Sequence, residues 1–346
     1  MEGLPVEDRR KFGAYLEHTP QIDVMDQIPQ FSQTDVFHSN QTVTDAKDEI
    51  NLLVFNMERG VHLQELGDFL QSCPDIRPFD VILANELDDG CVRSGCRNTT
   101  RELAERLGMN SVFGLEFIEL VNENDPKGFH GNAIFSRFPI LGSKIVRLPE
   151  ENNWYFDRQK RIGGRLGILA ELGLGSRSIG VGTIHLENRT DSKGRDAQLR
   201  YLLDAAEHYF PKNMPIALGG DLNTNTFDGR DKAAIQEIAS DADLQRRCLE
   251  DVPEWEACLR TAESFGYTLV PDLSLPTRRK PLPQGGFLPL RLDWLLLRGI
   301  KSEISRVVST RKEDCTFAPE GSALSQFQGE ELSDHNAVWA KCRLVC

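Results

Sequence analysis

Beyond Glu49 the chain alternates short apolar runs with stretches of helical spacing, and each short run ends in glycines or polar side chains. Residues 50–55 read Ile-Asn-Leu-Leu-Val-Phe, a strand-length run that stops at Asn56-Met57-Glu58-Arg59-Gly60. Apolar positions 61, 63, 66, 69 and 70 then fall on one face of a helix. Residues 79–84 predict the next buried strand, which ends in Asn85-Glu86-Leu87-Asp88-Asp89-Gly90. Strand, helix, strand in this order predicts a crossover unit. A second amphipathic helix is expected over 98–108, with Gly108 placed to stop it.

From 111 to 184 the pattern changes to strands, over 111–120, 131–135, 140–148, 164–173 and 177–184. Between them Trp154-Tyr155-Phe156 stand in a polar loop, which their rings are expected to pin to the core. Helical spacing returns over 193–210, near 231–240 and near 254–265, and strands are expected over 291–297, 302–309 and 336–345. Residues 271–290 hold five prolines and two glycines and predict a long loop. Residues 1–48 are polar and weakly periodic, so they are expected to form an extension that packs on or trails from a domain spanning 49–346.

The length allows one large α/β domain or two modest ones, and composition does not choose between them. No apolar stretch approaches the length of a membrane span. The first thirty residues lack the apolar core of a secretory signal, so an intracellular, cytoplasmic protein is expected, with secretion left open if a leader lies outside this sequence. A monomer is expected. The net charge of −13 speaks against a broad basic surface for nucleic acid but leaves room for a local basic groove. The eight cysteines include no Cys-x-x-Cys pair, which argues against a thiolate zinc site. Free thiols are expected, although Cys91 with Cys96 and Cys342 with Cys346 are close enough in sequence to pair.

Residues 215–226 read Pro-Ile-Ala-Leu-Gly-Gly-Asp-Leu-Asn-Thr-Asn-Thr. Strand alternation puts Asp221 and Asn223 on one face, and Gly219 and Gly220 permit a close approach of backbone or ligand. A strand running into an Asx turn satisfies the same residues. The polar groups that punctuate strand ends are Asn56, Glu58, Glu86, Asn132, His185, Asp221, Asn223, Asp293, Asp334 and His335. Strand ends on one side of an α/β domain converge, and ligands bind there. Glu86, Asp334 and Asn56 offer hard oxygen ligands, a set that suits Mg²⁺ or Mn²⁺. Asp88-Asp89 could add a second cation site, but an exposed acidic turn is the expectation.

Seven segments in order resemble the motifs of the endonuclease/exonuclease/phosphatase superfamily: Asn56-Met-Glu58, Asn85-Glu86, Gly131-Asn132-Ala-Ile-Phe-Ser136, Thr183-Ile-His185-Leu, Gly219-Gly-Asp221-Leu-Asn223, Arg291-Leu-Asp293-Trp and Ser333-Asp334-His335. The resemblance implies a four-layer α/β/β/α sandwich, with two packed mixed β-sheets flanked by helices and the site at one sheet edge. It implies Glu86 as the principal metal ligand with Asn56 and Asp334 beside it, and Glu58 as a second acidic metal residue. Asp221 matches the aspartate that activates or positions the attacking water, and Asn223 the amide that holds the phosphate or that aspartate. His335 matches the catalytic histidine, Asp293 its orienting partner, and His185 a donor to a phosphoryl oxygen. Asn132 is expected to contact substrate. Two features depart from the family: Asn85 stands where Gln is common, and Leu292-Asp293-Trp294 differs from the pattern of inositol 5-phosphatases.

The expected activity is divalent-metal-dependent hydrolysis of a phosphodiester by an activated water, nuclease-like in the first place. A sphingomyelinase-like lipid or small-molecule phosphodiesterase is the alternative, with Trp154-Tyr155-Phe156 as its interfacial contact. A non-catalytic phosphate-binding protein on the same scaffold is the reading from another class. The expected partner is a phosphoester, of nucleic acid, phospholipid or small molecule. Basic side chains for it cluster at Arg278-Arg279-Lys280, at Arg158, Lys160, Arg161 and Arg165, and at Arg189, Lys193 and Arg195. Arg278 is the one expected in the substrate site.

Overall fold

The computed structural model describes residues 1–45, 47–228, 231–270, 275–282 and 285–345. Sixteen strands are described. They begin with β1 (Thr34–Phe37), β2 (Glu49–Arg59), β3 (Val81–Asp89), β4 (Asn110–Glu119), β5 (Phe129–Ser136), β6 (Ile140–Arg147), β7 (Arg161–Gly163) and β8 (Leu166–Leu174). They continue with β9 (Arg177–His185), β10 (Ile216–Asp221), β11 (Thr268–Leu269), β12 (Arg278–Pro281), β13 (Phe287–Leu290), β14 (Asp293–Arg298), β15 (Ile300–Val308) and β16 (Ala337–Leu344).

Eight of them make one sheet, in the order β1-β4-β5-β3-β2-β16-β15 with β7 on β4. Six make the second sheet, in the order β11-β14-β10-β9-β8-β6. Each sheet holds one parallel pair, β2 with β3 and β9 with β10, and these pairs are crossed over by the helices Leu63–Ser72 and Ser192–Tyr209. A parallel pair sends both C-terminal ends to the same edge, and the two pairs lie over one another. That stacking gathers four polar strand ends at one place.

Period-two alternation explains the layers. In β2, Leu52 and Val54 point between the sheets to a core shared with Ile168 and Ala170 of β8 and Ala217 of β10. Leu53 and Phe55 point the other way, to Leu66, Phe69 and Leu70 of the helix Leu63–Ser72. Across the second sheet Ile216 and Leu218 meet Leu199, Leu202 and Leu203 of the helix Ser192–Tyr209. The result is two packed mixed sheets flanked by helices. Full burial of each such side chain contributes roughly 1.5–3 kcal/mol. The helix Ser192–Tyr209 is started by Asp191, whose carboxylate accepts from the backbone of Lys193 and Gly194.

Two segments differ from the sequence pattern. Residues 1–45 contain the helices Val6–Tyr15 and Gln21–Met25, and they add β1 as an edge strand on β4. Val24, Ile28 and Phe31 belong to the core, too few and too irregularly spaced to show as periodicity. The half-buried Arg147 holds this segment by donating to the Phe31 carbonyl while stacking on the Phe31 ring, 4.8 Å from its centroid. The expected loop over 271–290 is, in its described part, a two-stranded hairpin of β12 and β13. Leu288 and Leu290 anchor that hairpin in a small core with Phe227 and Ile238, which offsets its poor strand composition. The helix near 254–265 is divided into Val252–Trp255 and Ala257–Ser264.

The seven described cysteines are free thiols, six of them buried, and the pairing of Cys342 with Cys346 lies outside the described residues. Among the described residues no helix is long and apolar enough to cross a membrane.

Candidate active site

The first wall of the site comes from β2 and β3, which both break register just before they end, between Asn56 and Arg59 and between Ala84 and Leu87. Glu58, Arg59 and Glu86 adopt φ of 43°, 67° and 55° there. Non-glycine residues are strained in this region by about 1 kcal/mol or more each, and bulges of this kind re-aim side chains. The redirected groups meet. Asn56 Nδ2 lies 3.3 Å from Glu86 Oε1, and the Glu58 amide donates to Asn56 Oδ1 at 3.1 Å. The Asp334 amide donates to Glu58 Oε2 at 3.0 Å.

The second wall comes from the second sheet, where the register places Asp221 between His185 on β9 and Asp293 on β14. Gly220 makes this possible. Its φ is 148°, and a Cβ there would collide with the Ile184 carbonyl and with Asn85 Oδ1. Asn85 Oδ1 accepts from the Asp221 amide at 2.8 Å, while its Nδ2 donates to the Ile184 carbonyl at 3.0 Å and to Asn132 Oδ1 at 3.1 Å. Asn85, the departure at the second motif, is thus a staple between the two sheets.

Asp221 stands at the centre. Its Oδ1 accepts from the Asn223 amide at 2.9 Å, and its Oδ2 lies 3.2 Å from Asn56 Nδ2. The same Oδ2 is 3.7 Å from the Nε2 atoms of both His185 and His335. His335 Nδ1 is bonded to Asp293 Oδ2 at 2.8 Å. Although burial disfavours the imidazolium, Asp293 and Asp221 push the His335 pKa up to about 10.

The sequence matches the family model described as "Endonuclease/Exonuclease/phosphatase family" over residues 53–335. The chain belongs to this family. Its members are generally hydrolases that act on phosphoester bonds. No curated protein matches the chain. Among solved structures, the endonuclease/exonuclease/phosphatase from Beutenbergia cavernae is 19% identical, with 86% of this chain and 72% of that chain covered at a TM-score of 0.50. The human Nocturnin catalytic domain with bound sulfate anion is 15% identical, with coverage of 92% and 98% and a TM-score of 0.53. A family protein from Leptotrichia buccalis is 14% identical, with coverage of 85% and 100% and a TM-score of 0.52. At these identities the likeness is one of fold.

Glu116 was not legible as a residue of this family member's site, and Arg165, expected as a basic side chain for the substrate, supports His185. His185 Nδ1 lies 3.1 Å from Glu116 Oε2, and an Arg165 guanidinium nitrogen lies 2.9 and 2.8 Å from the two ring nitrogens. The same guanidinium reaches Glu116 Oε1 at 3.2 Å and Glu187 Oε2 at 3.3 Å. Burial would raise the Glu116 pKa, but His185 and Arg165 override it and hold it at about 2. The signal for Glu116 in the sequence was a carboxylate, one of two, in the apolar strand run 111–120. Trp154 belongs to the same assembly, since its indole donates to Glu187 at 2.8 Å. Trp154 and Tyr155 are buried, and Phe156 alone of the three rings is exposed.

The remaining candidates divide. Asn132 Oδ1 accepts from Asn85 and, at 3.3 Å, from the Glu86 amide, which fixes the amide's orientation and leaves its buried Nδ2 without a partner among the described residues. Asn223 Nδ2 is committed to the Leu186 carbonyl at 2.9 Å, so what it gives Asp221 is its backbone amide. Arg278 donates to Asp334 Oδ2 at 2.6 Å. Asp88 and Asp89 are neither an exposed turn nor a cation site. Both are buried on β3, Asp88 bonded to Arg93 and to His130 Nδ1 at 2.9 Å, and Asp89 paired with Lys127 at 2.7 Å.

The donor set fits a divalent cation. Glu58, Glu86 and Asp334 offer hard carboxylate oxygens along this wall, where Glu58 accepts the Asp334 amide and Asn56 turns its Nδ2 toward Glu86. Burial and then the Asp334 charge push the Glu58 pKa up, the mark of crowded like charges. Glu86, despite its burial, is held well below the usual carboxylate range by Arg59 and by His130, His185 and His335, so it is ionised. Asp221, Asp293 and His335 also bring one ligand atom each within 4.8 Å of one another. There, however, His335 Nδ1 is already committed to Asp293, which suits proton and anion handling better than metal binding.

Proposed function

We propose that this family member is a divalent-metal-dependent phosphoesterase that hydrolyses a phosphodiester by in-line attack of water, in the manner of a nuclease. One observation carries the proposal: a single carboxylate oxygen, Asp221 Oδ2, faces Asn56 and both imidazole Nε2 atoms. That oxygen accepts the proton of the attacking water, so that the new P–O bond forms as the bond to the leaving oxygen breaks. Asn85 and Asn223 fix the carboxylate through their contacts at the backbone amide and Oδ1.

In-line displacement puts the entering and leaving oxygens on opposite sides of phosphorus. Since His335 Nε2 is only 3.7 Å from Asp221 Oδ2, it stands on the side of the entering water. Its task is therefore to donate, as a cation, to a non-bridging phosphoryl oxygen, while His185, its ring held by Glu116 and Arg165, offers a further contact from the other side of Asp221. Asn132 Nδ2, a buried donor with an open valence, supports a third contact to that group. Glu86, Glu58, Asp334 and Asn56 would hold Mg²⁺ or Mn²⁺, which would neutralise charge on the phosphoryl group.

The test is a panel of phosphodiesters and phosphomonoesters with wild type and Asp221→Ala. EDTA is expected to abolish activity, and Asp221→Ala to lower it by about 100-fold or more. Wild-type protein inactive on the whole panel with either cation would overturn the proposal. The lipid alternative is not favoured, because two of the three rings that would contact an interface are consumed in packing.

A further inference from the structure

The hairpin beside the cleft carries a cation, Lys280, that no carboxylate pairs among the described residues. β12 forms a bridge to His335 through Arg278, and the Arg278 guanidinium reaches Asp334, so this side of the strand faces the site. Alternation places Lys280 on the same side, opposite Leu288, which is fully buried. Arg279 points the other way, onto Glu331 and the Phe287 ring. Lys280 is half-buried, and among the described residues nothing forms a hydrogen bond or ion pair with its ammonium.

Its neighbours make matters worse for a cation. Burial lowers the Lys280 pKa, and so do Arg278 and Arg189; Asp334 offsets them only in part. Arg189 belongs to the loop that follows His185, where it rests on the Trp154 ring at 5.5 Å and reaches Asp157 at 3.6 Å. Arg278 and Arg189 are paired with Asp334 and Asp157, whereas Lys280 has no carboxylate partner among the described residues, and a bound anion would supply one. In a chain of net charge −13 such a concentration is not a by-product of basic composition.

We propose that Lys280, Arg278 and Arg189 form a second anion subsite, which takes a further phosphoryl group that the substrate carries next to the one cleaved. This rests on the phosphoester reading of the cleft and narrows its substrate class. Guanidinium forks and an ammonium together suit a dianionic phosphate with several acceptor oxygens. Either a nucleotide or a phosphorylated polyol could carry it.

Calorimetric titration of the full-length Asp221→Asn chain in Mg²⁺ tests the subsite without turnover. The probes are adenosine monophosphate, adenosine phosphorylated on both its 3′ and 5′ oxygens, and inositol bisphosphate. At least one bisphosphate is expected to bind about tenfold more tightly than the monophosphate. Preference for the adenosine compound assigns the subsite to nucleotides, and preference for the inositol compound assigns it to polyols. Adding Lys280→Gln should remove the advantage, and Lys280→Arg should keep it. Should the Gln variant fail to fold, Lys280→Met, which retains the stem beside Leu288, serves the same comparison. Equal affinities for one and two phosphates, or an advantage that survives loss of the Lys280 charge, would overturn the proposal. A chain that hydrolyses no phosphoester yet keeps the Lys280-dependent preference would sink the phosphoesterase reading alone.

Discussion

His185 and His335 are both about 2% exposed, and both hold Nε2 at 3.7 Å from the same oxygen of Asp221, yet their surroundings are opposed. The charged side chains that face the His335 ring among the described residues are carboxylates: Asp293 at 2.8 Å, Asp221, and Asp334 at 3.8 Å. His185 shares its closest carboxylate, Glu116, with the guanidinium of Arg165. Equal distance from the reacting group therefore does not imply an equal role. The acidic corner makes a standing cation, which suits charge neutralisation in the transition state. The Arg165 corner makes a rigid ring whose position depends on a buried ion network, and its failure should show first in stability.

The largest effect expected from breaking this contrast is Arg165→Met. It strands Glu116 and Glu187 without a cation in the interior and should cost about 3–5 kcal/mol in chemical denaturation. A loss below about 1 kcal/mol would mean that water replaces the guanidinium there. On the other side, Asp293→Asn should leave the fold nearly intact while lowering kcat by about 100-fold, because the imidazolium loses its closest counter-charge. Comparable stability losses in the two variants would erase the distinction. The smallest effect concerns acid stability. The Glu116 carboxyl is held at about 2 against an ordinary 4.5, so the stability it contributes is complete above the ordinary value and lost as pH falls toward the folded one. Wild type should therefore lose about 2 kcal/mol more than Glu116→Gln between about pH 5 and about pH 3, read from urea midpoints.

The elements most legible in the sequence are those whose signal is local. The apolar run 50–55 lies within β2, and 216–221 is β10, because strand length, glycines and polar termini are all neighbours in the chain. The groups at those ends, Glu86, Asp221, Asp293 and His335, could be named for the same reason. The hairpin of β12 and β13 was hidden by its prolines, since what holds it is a distant core with Phe227 and Ile238. Residues 1–45 gave no periodicity because they wrap onto an existing core instead of forming their own. Asp88-Asp89 looked like a solvated turn because Arg93, His130 and Lys127, which neutralise them, are assigned only by packing.

By itself the sequence determined where strands end and which polar groups stand at those ends, since both follow from alternation and turn chemistry over a few residues. The tertiary structure decided which ends meet. Asn56 and Asp221 touch across 165 positions, and Asn85 bonds the Asp221 amide across 136. The same holds for the left-handed backbone at Glu58 and Glu86, and for the Glu116–Arg165 support of His185. Each arises from register and from one sheet lying on another, and such energies belong to pairs of residues that have no neighbourhood in the chain.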